Sequence, residues 1–216
     1  MYNFTFNIPT KIHFGKDTIS SLSELKAYGS KVLLVYGGGS IKKNGLYDTA
    51  MKILKDAGLT VFELSGVEPN PKIETVRKGV EICKNEGIDM VLAIGGGSTI
   101  DCSKVVAAGA KYDGDAWDLV LDGSKVKAAL PIFDVLTLSA TGTEMDPFAV
   151  ISDMSKNEKW GTGSPYMVPT MSILNPEYTF SVSKKQTAAG TADMMSHTME
   201  NYFSMENADC KKFMAE

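Results

Sequence analysis

Residues 89–104 read Asp89-Met-Val-Leu-Ala-Ile-Gly-Gly-Gly-Ser-Thr-Ile-Asp-Cys-Ser-Lys104. The apolar run Met90 to Ile94 is too short for a buried helix and suits a strand covered on both faces. Three glycines end it, and Ile100 to Ala110 continues with helical character. The same alternation extends outward. Lys31 to Tyr36 (KVLLVY), Thr60 to Leu64 and Ile132 to Leu138 read as strands, with helices over Ile41 to Ala57 and Ile73 to Glu86 between them. Strands separated by helices predict an α/β fold, a Rossmann-like parallel sheet with helices on both faces.

At the amino terminus, Phe4 to Ile8 and Lys11 to Phe14 are short extended pieces around Pro9, suited to a hairpin or a sheet edge. Tyr2, Phe4 and Phe6 alternate as one face of a strand does. Ala149 to Asp153 is expected to pair with a segment around Lys159 and Trp160 across the polar turn Met154 to Glu158. Asn175-Pro176 marks a boundary, and Lys184 to Phe203 forms a long helix without proline. The domain reading is a nucleotide-binding α/β domain over residues 1–180 and the start of a metal-binding helical domain over 181–216. A last helix with Met194, Met195, Met199, Tyr202 and Phe203 needs partners, so the sequence is expected to be a piece of a longer protein.

Lys and Arg total 22 against 26 for Asp and Glu, a net charge of −4 that gives no electrostatic reason to expect nucleic acid or an anionic membrane. Apolar residues at 44% and charged ones at 22% fit an ordinary globular chain. A small-molecule partner is the better expectation. The start has no basic head followed by an apolar run, and no stretch has the apolar length of a membrane span. Cys83, Cys102 and Cys210 lie outside any Cys-x-x-Cys spacing, and reduced thiols suit a cytoplasmic setting.

Four motifs carry chemistry. Gly95-Gly96-Gly97-Ser98 joins a buried strand to a helix start, where backbone amides and the helix dipole attract a phosphate. Ser98 and Asp101 also stand at capping-box spacing, so a capped turn without ligand accounts for the motif equally well. Gly37-Gly38-Gly39-Ser40 ends another strand, beside Lys42 and Lys43. The absence of an acidic residue there favours a phosphorylated ribose, hence NADP over NAD, if a dinucleotide binds. A glycine turn with solvated lysines is the plainer reading. Thr137 to Glu144 (TLSATGTE) puts hydroxyls at a strand's carboxyl end, where they hold a ligand or cap a turn. Asp193 and His197 are four apart on one helical face, either an exposed pair or half of a metal site.

Together and in this order, KVLLVYGGGSIKKNGLYD, EPNPKIETVRKG, DMVLAIGGGSTIDCSK, LSATGTEMDPFAVIS, NPEYTF and QTAAGTADMMSHTMENYF resemble the iron-containing (group III) alcohol dehydrogenases, most closely the NADPH-dependent butanol dehydrogenase branch. Glycerol dehydrogenase and dehydroquinate synthase share the broad architecture, but GGGS at 37–40 and the SATGTE segment favour the butanol branch. The resemblance implies that Gly95, Gly96 and Ser98 bind a pyrophosphate with Asp101 nearby. It sets Gly38 and Ser40 by the adenosine ribose, with Asn70, Thr137 and Lys159 on the cofactor. Asp193 and His197 become two ligands of Fe²⁺ or Zn²⁺, the other two being histidines that this sequence lacks. Proline is usual where Ser183 stands, and an acid is frequent at Asn175.

The implied activity is that of an NADP(H)-dependent alcohol dehydrogenase or aldehyde reductase, with a small primary alcohol or aldehyde such as butanol or butanal as substrate. A homo-oligomer is expected, with neither nucleic acid nor membrane as partner. The 216-residue chain itself is expected to hold metal weakly and to lack appreciable turnover. The alternative is a non-catalytic dinucleotide-binding module or an inert fragment.

Overall fold

The computed structural model describes residue 5 and residues 7–203. In chain order the elements are β1 (Lys11–Phe14), β2 (Lys31–Tyr36), α1 (Ser40–Lys43), α2 (Leu46–Asp56), β3 (Thr60–Leu64), α3 (Ile73–Glu86), β4 (Met90–Gly95) and α4 (Gly97–Gly109). There follow α5 (Ala116–Leu121), β5 (Ile132–Leu136), β6 (Phe148–Asp153), β7 (Glu158–Gly163), β8 (Met171–Leu174) and α6 (Lys184–Phe203). Six strands form a parallel sheet in the order β1-β8-β5-β4-β2-β3, and β6 and β7 make a separate antiparallel pair.

The continuous apolar runs of β2 and β4 are explained by what covers them. Alternate residues point to opposite faces of a strand. Leu33, Val35 and Val91 pack with Ile73, Val76 and Val80 of α3 and with Val105 and Val106 of α4. Val32, Leu34, Met90, Leu92 and Ile94 pack on the other face with Ala50 and Leu54 of α2 and with Leu22 and Leu25. Those two leucines belong to a 3₁₀ helix over Thr18–Tyr28, whose buried Ile19, Leu22 and Leu25 recur every third residue, the 3₁₀ period.

Several sequence expectations shift. The helix expected over Ile41 to Ala57 is two helices, because Gly45 takes φ 81° between them, a left-handed conformation suited to glycine. The helix expected from Ile100 begins at Gly97, with Gly96 as its N-cap. Strand β5 stops at Leu136, two residues before the expected Leu138. Of the two amino-terminal pieces, Lys11–Phe14 is an edge strand parallel to β8. Tyr2, Phe4 and Phe6 lie outside the described residues, and Ile8 is in no strand.

The β6–β7 pair forms as expected, with Ser152 opposite Lys159 and Ile151 opposite Trp160. The long helix spans Lys184–Phe203, and Ser183 caps it by accepting a hydrogen bond from the Gln186 amide at 3.3 Å. No residue of that helix is buried. Strand β8, the 3₁₀ helix and α5 were not foreseen. No helix among the described residues is long and apolar enough to cross a membrane.

Candidate functional site

In an open parallel sheet, ligands collect beyond the carboxyl ends of the strands. Among the described residues, three of the cavities that open there adjoin the motifs. The first, of about 240 Å³, is lined by Asn70, Pro71, Gly97, Ser98, Asp101, Thr141, Val150 and Lys159. Its floor is the start of α4, whose first amides have no carbonyl partner within the helix. Gly95 ends β4 and Gly96 caps α4 without a side chain, so the backbone at the turn is bare. A Cβ on Gly96 would lie 3.2 Å from the Cβ of Leu138.

Ser98 and Asp101 do not form the capping box that their spacing allows. The carboxylate of Asp101 instead accepts from the Thr143 hydroxyl at 2.7 Å and from the Val150 amide at 2.9 Å. Burial pushes that carboxyl above its ordinary range, although both hydrogen bonds oppose the shift. Thr143 in turn accepts from the Nζ of Lys104 at 2.9 Å. The fully buried Lys104 also donates to the Oδ1 of Asp146 and to the carbonyls of Asp146 and Phe148. One ammonium therefore fastens residues 143–148 to α4, beside the glycine turn.

Asn70 and Lys159 meet across the cavity mouth, where the lysine donates to the asparagine Oδ1 at 2.7 Å. Asn70 sits at φ 55°, a conformation asparagine tolerates better than most residues. Its loop is docked on β6, where the Ser152 amide donates to the Pro71 carbonyl. Thr137 lies at the end of β5 with its amide on the Gly95 carbonyl at 2.9 Å, and lines neither this cavity nor the next.

The second cavity, of about 300 Å³, opens where β2 ends and is lined by Tyr36, Gly37, Gly38, Gly39, Lys42, Ser65 and Gly66. Gly39 takes φ 97°, which accounts for its being glycine. Gly38 has no such requirement and nothing within 4 Å of an added Cβ, so the fold alone does not explain it. Ser40 opens α1 beside this cavity without lining it. The third cavity, of about 230 Å³, lies between the ends of β1, β5 and β8, with Phe14, Leu136, Leu174, Ser139, Glu144 and Asn175 on its walls. Asn175 accepts from the Glu177 amide and starts a short 3₁₀ turn.

On α6, the Oδ1 of Asp193 and the Nε2 of His197 are 3.7 Å apart, and both side chains are about half exposed. No group of three or more His, Cys, Asp or Glu residues that could hold an ion occurs among the described residues. Of the hydroxyl segment Thr137 to Glu144, Thr141 is the residue on the wall of the first cavity. Sequence reasoning missed the Lys104 network and Glu63, whose carboxylate accepts from the hydroxyls of Tyr36 and Tyr47. Lys104 left a signal, a lone cation in a helix otherwise buried along most of its length.

The family described as iron-containing alcohol dehydrogenase matches residues 9–176. NADH-dependent butanol dehydrogenase A of Clostridium acetobutylicum is 60% identical over the whole chain, which covers 56% of that protein. The NADPH-dependent aldehyde reductase YqhD of Escherichia coli is 40% identical over 94% of the chain, which covers 52% of it. The crystal structure of NADH-dependent butanol dehydrogenase A from Thermotoga maritima superposes with a TM-score of 0.94 at 47% identity, over 100% of this chain and 55% of that one. The chain thus spans about half the length of these relatives. A match through the glycine turns, the Asn70 loop and the sheet itself means that the chain belongs to the iron-containing alcohol dehydrogenase family.

Proposed function

We propose that this chain is the nicotinamide-binding half of a metal-dependent alcohol dehydrogenase or aldehyde reductase acting on small primary alcohols and aldehydes, butanol and butanal among them. The observation that carries this reading is the cavity at the start of α4, where Asn70, Ser98, Asp101 and Lys159 surround a glycine turn with bare amides. Gly95, Gly96 and Ser98 would take the pyrophosphate, as bare glycines and unpaired helix amides suit an anion. Asp101 would fix the turn's outer wall through Thr143 and Val150. Lys159, steadied by Asn70, and Thr137 would contact the rest of the dinucleotide, with Gly38 and Ser40 at the adenosine ribose. The bound nicotinamide supplies or accepts the hydride.

The donor set of Asp193 and His197, an oxygen and an imidazole nitrogen one helical turn apart, fits two positions of an Fe²⁺ or Zn²⁺ site. An ion there supplies Lewis-acid polarisation of the alcohol or aldehyde oxygen. The third cavity lies close to this helix, since a Cβ on Gly190 would be 3.7 Å from the Ser139 carbonyl. Its apolar side, Phe14, Leu136 and Leu174, suits a nicotinamide ring and a short alkyl substrate. We further propose residues 1–180 as the cofactor domain and 181–216 as the start of a metal-binding helical domain. A cytoplasmic homo-oligomer without nucleic acid or membrane partners completes the reading.

The preference for NADP expected from the glycines and lysines at 37–43 has no support from the two relatives at 60% identity, both named for NADH. For the 216 residues alone, a second reading is favoured by the exposure of the Asp193/His197 pair: cofactor binding without turnover. Titrating the chain with NADH and NADPH while following nicotinamide fluorescence tests the function. Saturable binding of either supports it, and no binding of either overturns it. Metal-dependent reduction of butanal by this chain would overturn the second reading only.

A further inference from the structure

We propose that Tyr36, Tyr47 and Glu63 decide between the two nicotinamide dinucleotides by keeping Lys42 from a 2′-phosphate, so that the chain takes NAD(H) in preference to NADP(H). The proposal rests on the dinucleotide reading above and concerns the second cavity, at the end of β2. Lys42 is the one charged residue on its wall. Read as a free lysine beside Gly38, it would draw a phosphorylated ribose. Its ammonium is already engaged. The Nζ lies 4.4 Å from the centre of the Tyr47 ring and 4.9 Å from that of Tyr36, with the Oε2 of Glu63 at 3.8 Å.

The carboxylate is held as firmly as the lysine. Tyr36 donates to one oxygen at 2.6 Å and Tyr47 to the other at 2.7 Å. The Tyr36 hydroxyl first, and then that of Tyr47 and the charge of Lys42, hold the Glu63 carboxyl below the usual range, so it is ionised at neutral pH. A 2′-phosphate arriving here would bring nearly two negative charges toward a fixed carboxylate. To reach it, Lys42 would give up two ring faces and its counter-ion, leaving Glu63 to repel the ligand. A 2′-hydroxyl meets no such charge. The acid that discriminates thus sits on β3, one strand outward from the glycines, and acts through the lysine.

The test compares adenosine 2′,5′-bisphosphate with AMP, which differ only by the 2′-phosphate, using calorimetry on the 216-residue chain. The unaltered chain should bind AMP more tightly. Combining Glu63→Gln with Tyr47→Leu frees Lys42 and should move the affinity ratio about tenfold toward the bisphosphate, less at high salt. Adding Lys42→Ala should remove that gain. Glu63→Gln alone keeps both rings, removes only the counter-ion of Lys42, and should shift the ratio in the same direction by less; it serves if the double variant does not fold. Binding of both probes with an unmoved ratio, or a gain that survives the loss of Lys42, would overturn this proposal alone. If neither probe nor either dinucleotide binds, the dinucleotide reading falls with it.

Discussion

The carboxyl of Asp134 and the hydroxyl of Ser172 lie 2.6 Å apart on adjacent strands, at paired positions with no exposure to solvent. The Ser172 hydroxyl is also 2.7 Å from the Glu144 carbonyl, and it has a single proton to give. A protonated Asp134 completes the chain, donating to Ser172, which donates to Glu144. Burial first, and the charge of Glu144 after it, push the Asp134 carboxyl well above its ordinary range. The folded state therefore keeps a proton that the unfolded chain releases above roughly pH 3.9.

With a raised folded pKa, this group's contribution to stability is greatest below that pH and declines as pH rises toward the folded value. Asparagine reproduces the donor without the titration. Asp134→Asn is expected to unfold at equal or higher urea concentration than the parent at pH 7, with a flatter pH dependence from pH 4 upward. A lower midpoint at neutral pH would mean that the carboxylate charge is used in the fold.

Lys104 is the counterpart, a buried cation with oxygen partners on residues 143, 146 and 148. Lys104→Met fills the same volume, leaves Asp146 with the Phe148 amide but no counter-ion and takes the ammonium from two carbonyls, at a cost of about 3 kcal/mol in urea unfolding. Dinucleotide affinity should fall as well, since Thr143 bridges Lys104 to Asp101. A loss under about 0.5 kcal/mol, the size of an ordinary surface change, would show that the network is dispensable.

Neighbouring glycines separate fold from ligand. Gly39→Ala forces a side chain into φ 97° and should cost about 1 kcal/mol of stability. Gly38→Ala meets open space, so thermal unfolding should be unchanged while NADH affinity drops about tenfold if the ribose sits where proposed and the methyl enters its space. Unchanged affinity would remove Gly38 from the site.

The pair proposed as metal ligands, Asp193 and His197, is expected to be thermally silent in this chain. His197→Ala breaks an exposed contact within one helix and should leave the unfolding temperature where it was. Chelation by EDTA should have the same null effect, and zinc added at one equivalent should be lost on gel filtration. Stoichiometric retention would require ligands beyond Asp193 and His197.

Between residues 31 and 110 the sequence announces its structure, because strands buried on both faces write their burial as unbroken apolar runs. Strand β8 does not. Its Met171-Ser-Ile-Leu174 is short, and Ser172 belongs in the core only because Asp134 waits on the next strand. In the same way Asn70 and Lys159 each look like surface residues until a loop and a hairpin bring them together. Lys42 was legible as a charge, but its neutralisation by Glu63 depends on a strand pairing that no local motif records.

The position of β8 between β1 and β5 has a temporal side. Lys11 finds its sheet partner at Met171, so β1 leaves the ribosome well before β8, the described strand that it pairs with. At synthesis rates of about 5–20 residues per second, that wait is on the order of ten seconds. Strands β2, β3, β4 and β5 can assemble in the meantime, each beside a neighbour already made. The growing chain thus carries the finished glycine turns of β2 and β4 and an unpaired β1 at once, and the β5 edge, open until β8 arrives, is where misassembly during synthesis would begin.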